Sequence, residues 1–196
     1  MYDREVALKT AFNRSVVGLL GIEEKDYYSG LTTDQMLSLK TALSDINNLI
    51  TLRLAFSLGG WICDTFNISE GARKTILDTI RSSKPNANGY DIELSSPDTV
   101  AEIKCNIPIN AGRVFGSAQR NGLRKDIEGL IVGKSKSSKN ADKSIKLLGL
   151  YDTSEVRAAT KHFVRNLPAS LKQKLIIDPE QGKALDNQHV YIVFVK

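Results

Sequence analysis

The chain has 196 residues, of which 41% are hydrophobic and 25% charged, with only five prolines and two cysteines. That composition suits one globular domain, or one domain with an appendage, and excludes disordered, fibrous and disulfide-framed classes. The net charge of +5 is uneven: residues 1–100 carry ten basic against thirteen acidic side chains, and residues 101–196 carry seventeen against nine. Residues 104–146 alone hold ten basic and three acidic side chains. Such a concentration predicts either a polyanionic partner, most often nucleic acid, or a solvated basic loop. The longest apolar runs, residues 54–62 and 190–195, fall short of a membrane span, and Gly59-Gly60 splits the first. The opening Met-Tyr-Asp-Arg-Glu is charged and lacks the apolar core of a signal peptide. The expectation is a soluble, cytoplasmic protein.

Helical spacing dominates the first ninety residues. Leu8, Phe12, Val16 and Leu19 recur on one face, and Gly21 is the natural stop. Thr32 with Gln35 forms a capping box. It opens a stripe of Met36, Leu39, Leu43, Ile46 and Ile50, whose spacings of three and four predict a buried helix or a helix–helix seam. A break is expected at Gly59-Gly60. A further helix is predicted over about 69–82, carrying Ala72, Ile76, Leu77 and Ile80 on one side. Its acids Glu70 and Asp78 are read as exposed helical carboxylates in preference to metal ligands.

The run Lys84-Pro-Asn-Ala-Asn-Gly89 is made of loop formers, and after it the period changes from helical to two. Residues 90–94 alternate, Ser95-Ser-Pro-Asp98 turns, and residues 100–105 alternate again, which predicts a β-hairpin with Pro97 and Asp98 at the turn centre. Helical spacing returns over 115–132. A loop rich in Lys, Ser, Asn and Asp, expected to be mobile, follows over 133–143. A strand buried on both faces is predicted at 145–151. Asp152 with Glu155 is expected to cap the next helix, which Pro168 stops, and a second buried strand closes the chain at 190–195. The layout is α/β with a mixed sheet flanked by helices, divided into an N-terminal helical region over 1–68 and a core over 69–196.

The hairpin carries the chemistry. Alternate strand residues share a face, so Asp91 and Glu93 face one way on the first strand, and Glu102 and Lys104 on the second. An even turn brings these faces to one side of the sheet. Centred on Pro97-Asp98, it sets Glu93 opposite Glu102 and Asp91 opposite Lys104; centred one residue earlier, it sets Asp91 opposite Glu102. Clustered carboxylates repel unless a cation intervenes. A hard divalent ion such as Mg²⁺ resolves the repulsion through oxygen ligands and activates water for attack on a phosphate. The bland counterpart is a solvated strand face with cross-strand ion pairs.

Asp91, ten intervening residues and then Glu102-Ile103-Lys104 on a hairpin resembles the PD-(D/E)xK nuclease superfamily, which includes type II restriction endonucleases and several repair and recombination nucleases. The resemblance covers residues 69–196 and implies a restriction-endonuclease-like core and a Mg²⁺-dependent DNA endonuclease. It makes Asp91, Glu102 and the Ile103 carbonyl metal ligands and Lys104 the water-positioning residue. Tyr90 stands where the motif's name has proline, and Glu93 is an extra acid that contends with Asp91 for the aspartate's role; Asp91 is favoured. The following helix offers Arg113, Gln119, Arg120, Arg124 and Lys125 as DNA contacts, with an ordinary exposed helix face as the alternative. Lys134, Lys136, Lys139 and Lys143 either meet the DNA backbone or solvate a loop.

Expected partners are double-stranded DNA and, through the 36–50 stripe, a second copy of the chain as a homodimer. Other function classes are a non-catalytic DNA-binding module of the same fold, a repair or junction nuclease, and a protein–protein interaction domain. Gly129-Leu-Ile-Val-Gly133-Lys134-Ser135 is a near miss to a phosphate-binding loop, one residue short and following a helix, and is read as chance. His162, His189, Cys63 and Cys105 have no zinc-site spacing.

Overall fold

The computed structural model describes residues 3–83, 89–109 and 112–196. The loop formers at 84–88, and Asn110-Ala111 ahead of the fourth helix, lie outside them. Two compact units divide the chain, residues 1–46 and 47–196. The first contains α1 (Arg4–Leu20), a 3-10 turn (Tyr28–Gly30) and the start of α2 (Thr33–Thr65). Asp3 caps α1 by accepting from the Val6 N–H at 3.1 Å, and Gly21 ends it in the left-handed conformation (φ +62°). Polar contacts tie this unit together beside the edge-to-face pair of Phe12 and Tyr28. Asn13 Oδ1 accepts from the Tyr27 and Tyr28 N–H groups at 3.0 and 2.9 Å, and the Lys9 ammonium meets Asp26 and the Ser29 hydroxyl. Reciprocal bonds between Thr32 and Gln35, at 2.8 and 3.3 Å, form the expected capping box.

The second unit is a three-layer α/β arrangement. Its elements are the rest of α2, then α3 (Glu70–Ser82), β1 (Ile92–Ser95), β2 (Asp98–Lys104), α4 (Ser117–Val132) and β3 (Ile145–Tyr151). They are followed by α5 (Ser154–Arg165), α6 (Ala169–Lys172), β4 (Leu175–Ile177) and β5 (Val190–Val195). Strand order is β1-β2-β3-β5-β4, with β1 antiparallel to β2 and every other pair parallel. One face buries Leu54, Leu58, Ile62, Ile76 and Ile80 of α2 and α3 against Ile92, Ala101, Ile103 and Leu147. The other buries Leu123, Ile127 and Leu130 of α4 and Val156 and Phe163 of α5 against Val100, Leu148 and Ile192. The two-sided burial of β3 and β5 is what their nearly continuous apolar runs predict. Among the described residues, no helix is long and apolar enough to cross a membrane.

Several expectations change. Helix α2 runs unbroken through Gly59-Gly60. The glycines serve packing: a Cβ at Gly59 would stand 2.5 Å from Ile80 Cδ1, so its absence lets α3 approach. The 36–50 stripe is not buried in this chain, where Leu43 is 59% and Ile46 45% exposed. Thr153, not Asp152, caps α5, its hydroxyl accepting from the Val156 N–H at 3.2 Å, while Asp152 pairs with Arg157. Helix α5 ends at Arg165, and Pro168 instead precedes α6. Neither α6 nor β4 was expected. The hairpin turn is centred on Ser96-Pro97, since Ser95 pairs with Asp98. Asp98 leaves the turn because its carboxylate is held by the Ser144 hydroxyl at 3.0 Å and the Lys139 ammonium at 2.9 Å.

Candidate active site

The observed register, with Ile92 opposite Ala101, puts Asp91 opposite Glu102. Asp91 stands one residue before β1 and is held by the backbone of β2: its Oδ2 accepts from the Ile103 N–H at 2.7 Å. Both main-chain groups of a strand residue project to the same edge, so the Ile103 carbonyl lies on the Asp91 side. Glu93, the competing acid, is turned back on its own chain, with Oε1 accepting from the Tyr90 N–H at 3.2 Å.

Glu102 is buried, with 3% of its surface exposed. Burial pushes its pKa up to about 7, with the nearby Asp91 and Asp126 acting in the same direction and the Lys134 ammonium against them. Its Oε1 faces that ammonium and accepts no directed hydrogen bond. The contact is therefore electrostatic. Lys104 projects on the same face and meets Asp126 of α4, Nζ to Oδ2 3.3 Å. Burial works to lower the Lys104 pKa, but Asp126, Asp91 and Glu102 outweigh it and raise the pKa. Lys104 is thus a fixed positive charge. Asp126 has its own pKa raised by burial against the opposing pull of Lys104, and its Oδ2 is likewise without a directed hydrogen bond.

Sequence reasoning missed Asp126. The available signal was its place one turn of α4 before Leu130 and next to Ile127, a carboxylate beside the buried stripe. Among the described residues, no three Asp, Glu, His or Cys side chains are grouped closely enough to hold a metal on side chains alone.

The expected DNA contacts separate into two groups. Gln119 is engaged by backbone, accepting from the Gly116 N–H and donating to the Ile107 carbonyl, both at 2.8 Å. Arg120 donates to the Phe115 carbonyl at 3.3 Å, and Arg124 pairs with Glu128 at 2.8 Å. Lys134 reaches into the carboxylate cluster. Arg113, Lys125 and Lys136 are exposed and make no ion pair among the described residues. Lys136 lines an open cleft with Thr79, Ser83, Asp91 and Glu93, next to the carboxylates.

The 133–143 segment, expected to be mobile, is tied down at Lys134 and Lys139, and Ser144 just beyond it bonds Asp98. The near-miss phosphate loop is the C-terminal turn of α4, where the Gly133 N–H returns to the Gly129 carbonyl at 2.9 Å. No family model, curated protein or solved structure matches this chain.

Proposed function

We propose that this chain is a Mg²⁺-dependent DNA endonuclease of restriction-endonuclease type, hydrolysing phosphodiester bonds of double-stranded DNA to leave 5′-phosphate and 3′-hydroxyl ends. The observation that carries the reading is the convergence of Asp91, Glu102 and Lys104 at one end of the hairpin, with the Ile103 amide tying Asp91 to β2. Asp91, Glu102 and the Ile103 carbonyl would hold the ion. Mg²⁺ takes only one or two protein carboxylates and keeps several waters, so a third carboxylate is not needed. The donor set fits, because Glu102 is a buried carboxyl group whose Oε1 lacks a directed hydrogen bond and whose ionisation a cation favours. When bound, the ion supplies charge stabilisation on the phosphate and lowers the pKa of a coordinated water. Lys104, kept protonated by Asp126, would orient the attacking water and offset negative charge growing on the phosphate oxygens. Arg113, Lys125 and Lys136 would bind backbone phosphates in a salt-dependent manner.

The test is supercoiled plasmid incubated with and without Mg²⁺, beside Glu102→Ala and Lys104→Ala. Metal-dependent cleavage lost in both variants supports the reading, and unchanged cleavage in either removes it. Preference for branched over linear duplex would shift the assignment to a junction or repair nuclease. One observation favours a non-catalytic DNA-binding module: a protein cation, Lys134, already sits against Glu102. That module would bind DNA equally well with and without Mg²⁺ and cut none.

A further inference from the structure

We propose that Lys134 is the resident counter-ion of Glu102, and that a divalent cation gains the site by displacing it. The inference rests on the nuclease reading and adds how that site is kept in the absence of metal. Two lysines and two carboxylates pair off here: Lys104 with Asp126, and Lys134 with Glu102. Asp91 is occupied by the Ile103 amide. Entry of a cation at Glu102 therefore disturbs one ion pair and leaves the Lys104 pair standing.

Lys134 is delivered to this position by built features. Gly133, at φ +98° in the region that favours glycine, turns the chain sharply out of α4. Its N–H closes on the Gly129 carbonyl, which also accepts from the Tyr90 hydroxyl at 3.1 Å. The Lys134 ammonium then donates to the Gly89 carbonyl at 2.9 Å and stands 5.2 Å from the centre of the Tyr90 ring. Glu102, Gly89 and Tyr90 make three electron-rich partners around one ammonium. A divalent ion in contact with Glu102 cannot share that carboxylate with a fixed positive charge without strong repulsion. Lys134 has a way out, since 26% of its side chain is already exposed.

Without metal, Glu102 would then be neutralised by the chain's own cation, and affinity for metal would be set by how readily that cation leaves. Calorimetric titration of the full chain with MnCl₂ tests this. Lys134→Met keeps the stem and removes the charge, and is expected to tighten Mn²⁺ binding on the order of tenfold by removing the competitor. Lys134→Arg is expected to bind no more tightly than wild type. A second measurement uses unaltered protein: acetylation of Lys134, followed by mass spectrometry, is expected to be slow without metal and several-fold faster in millimolar MgCl₂.

Equal or weaker Mn²⁺ binding by Lys134→Met, or acetylation of Lys134 indifferent to MgCl₂, overturns the displacement. If wild type binds Mn²⁺ and Glu102→Gln does not, the nuclease reading survives that outcome. Absence of binding by wild type and variants alike overturns both.

Discussion

Residues 3–46 and 47–196 solve the same problem by opposite means. Among the described residues the first buried one is Leu54, so the N-terminal unit contains none. It is organised by Asn13, Lys9 and Asp26 around a 3-10 turn, and by the edge-to-face pair Phe12–Tyr28 at 6.4 Å. The sheet unit buries large apolar side chains on both faces of five strands, and among the described residues its one buried carboxylate, Glu102, stands against a lysine, Lys134. The lesson is that helical periodicity reports an apolar face but not what covers it. The stripes over residues 8–19 and 36–50 are as regular in sequence as that of α4. Only the α4 stripe contributes buried residues, Leu123, Ile127 and Leu130.

That contrast can be broken by substitution. Leu58→Ala, at a side chain wholly buried against the sheet, is expected to cost about 3 kcal/mol, measured as a lower urea midpoint with unchanged slope. Glu102→Gln acts on the same unit with a pH signature. The folded pKa of Glu102 is about 7 against the ordinary 4.5, so between those values the folded state holds the extra proton. Wild-type stability from this group therefore falls as pH rises from about 4.5 to about 7. The Gln variant should lack that slope and be the more stable protein at pH 8, by on the order of 3 kcal/mol. A variant with the wild-type slope would show that Glu102 titrates normally.

Smaller effects belong to the N-terminal unit. Thr32→Ala should cost about 1 kcal/mol by removing the cap on α2, seen in the melting temperature. Leu43→Gln with Ile46→Gln should change monomer stability by less than about 0.5 kcal/mol. Sedimentation velocity on the same pair examines the homodimer expected from the sequence: a shift from dimer to monomer would assign the face to pairing between copies, and an unchanged species would remove that role.

The sheet was legible where burial is two-sided or strictly alternating. Residues 145–151 and 190–195 read as strands because they are short, nearly continuous apolar runs, interrupted only by Lys146, and these are the bounds found. Three-residue β4 and four-residue α6 were not legible, because neither is long enough to show a period. Asp91, Glu102 and Lys104 were legible as one face because strand parity is local. Their register was not, since Asp98 is drawn out of the turn by Ser144 and Lys139, more than forty residues away. Asp126 and the inward turn of Lys134 were hidden for the same reason. Both depend on where α4 lies over β2, and no local pattern encodes that.

Both outer strands of the sheet are its shortest, four residues in β1 and three in β4, against six or seven in the others. Lys139 stands at the end of β1 with its ammonium 3.3 Å from the Ser95 hydroxyl. Unpaired backbone groups along a flat outer strand invite another chain to dock in register and seed aggregation, and brevity with a lysine at the rim is a recurrent defence. The sheet is therefore a poor template for its own extension. A protein of this design can be concentrated without its strands recruiting one another.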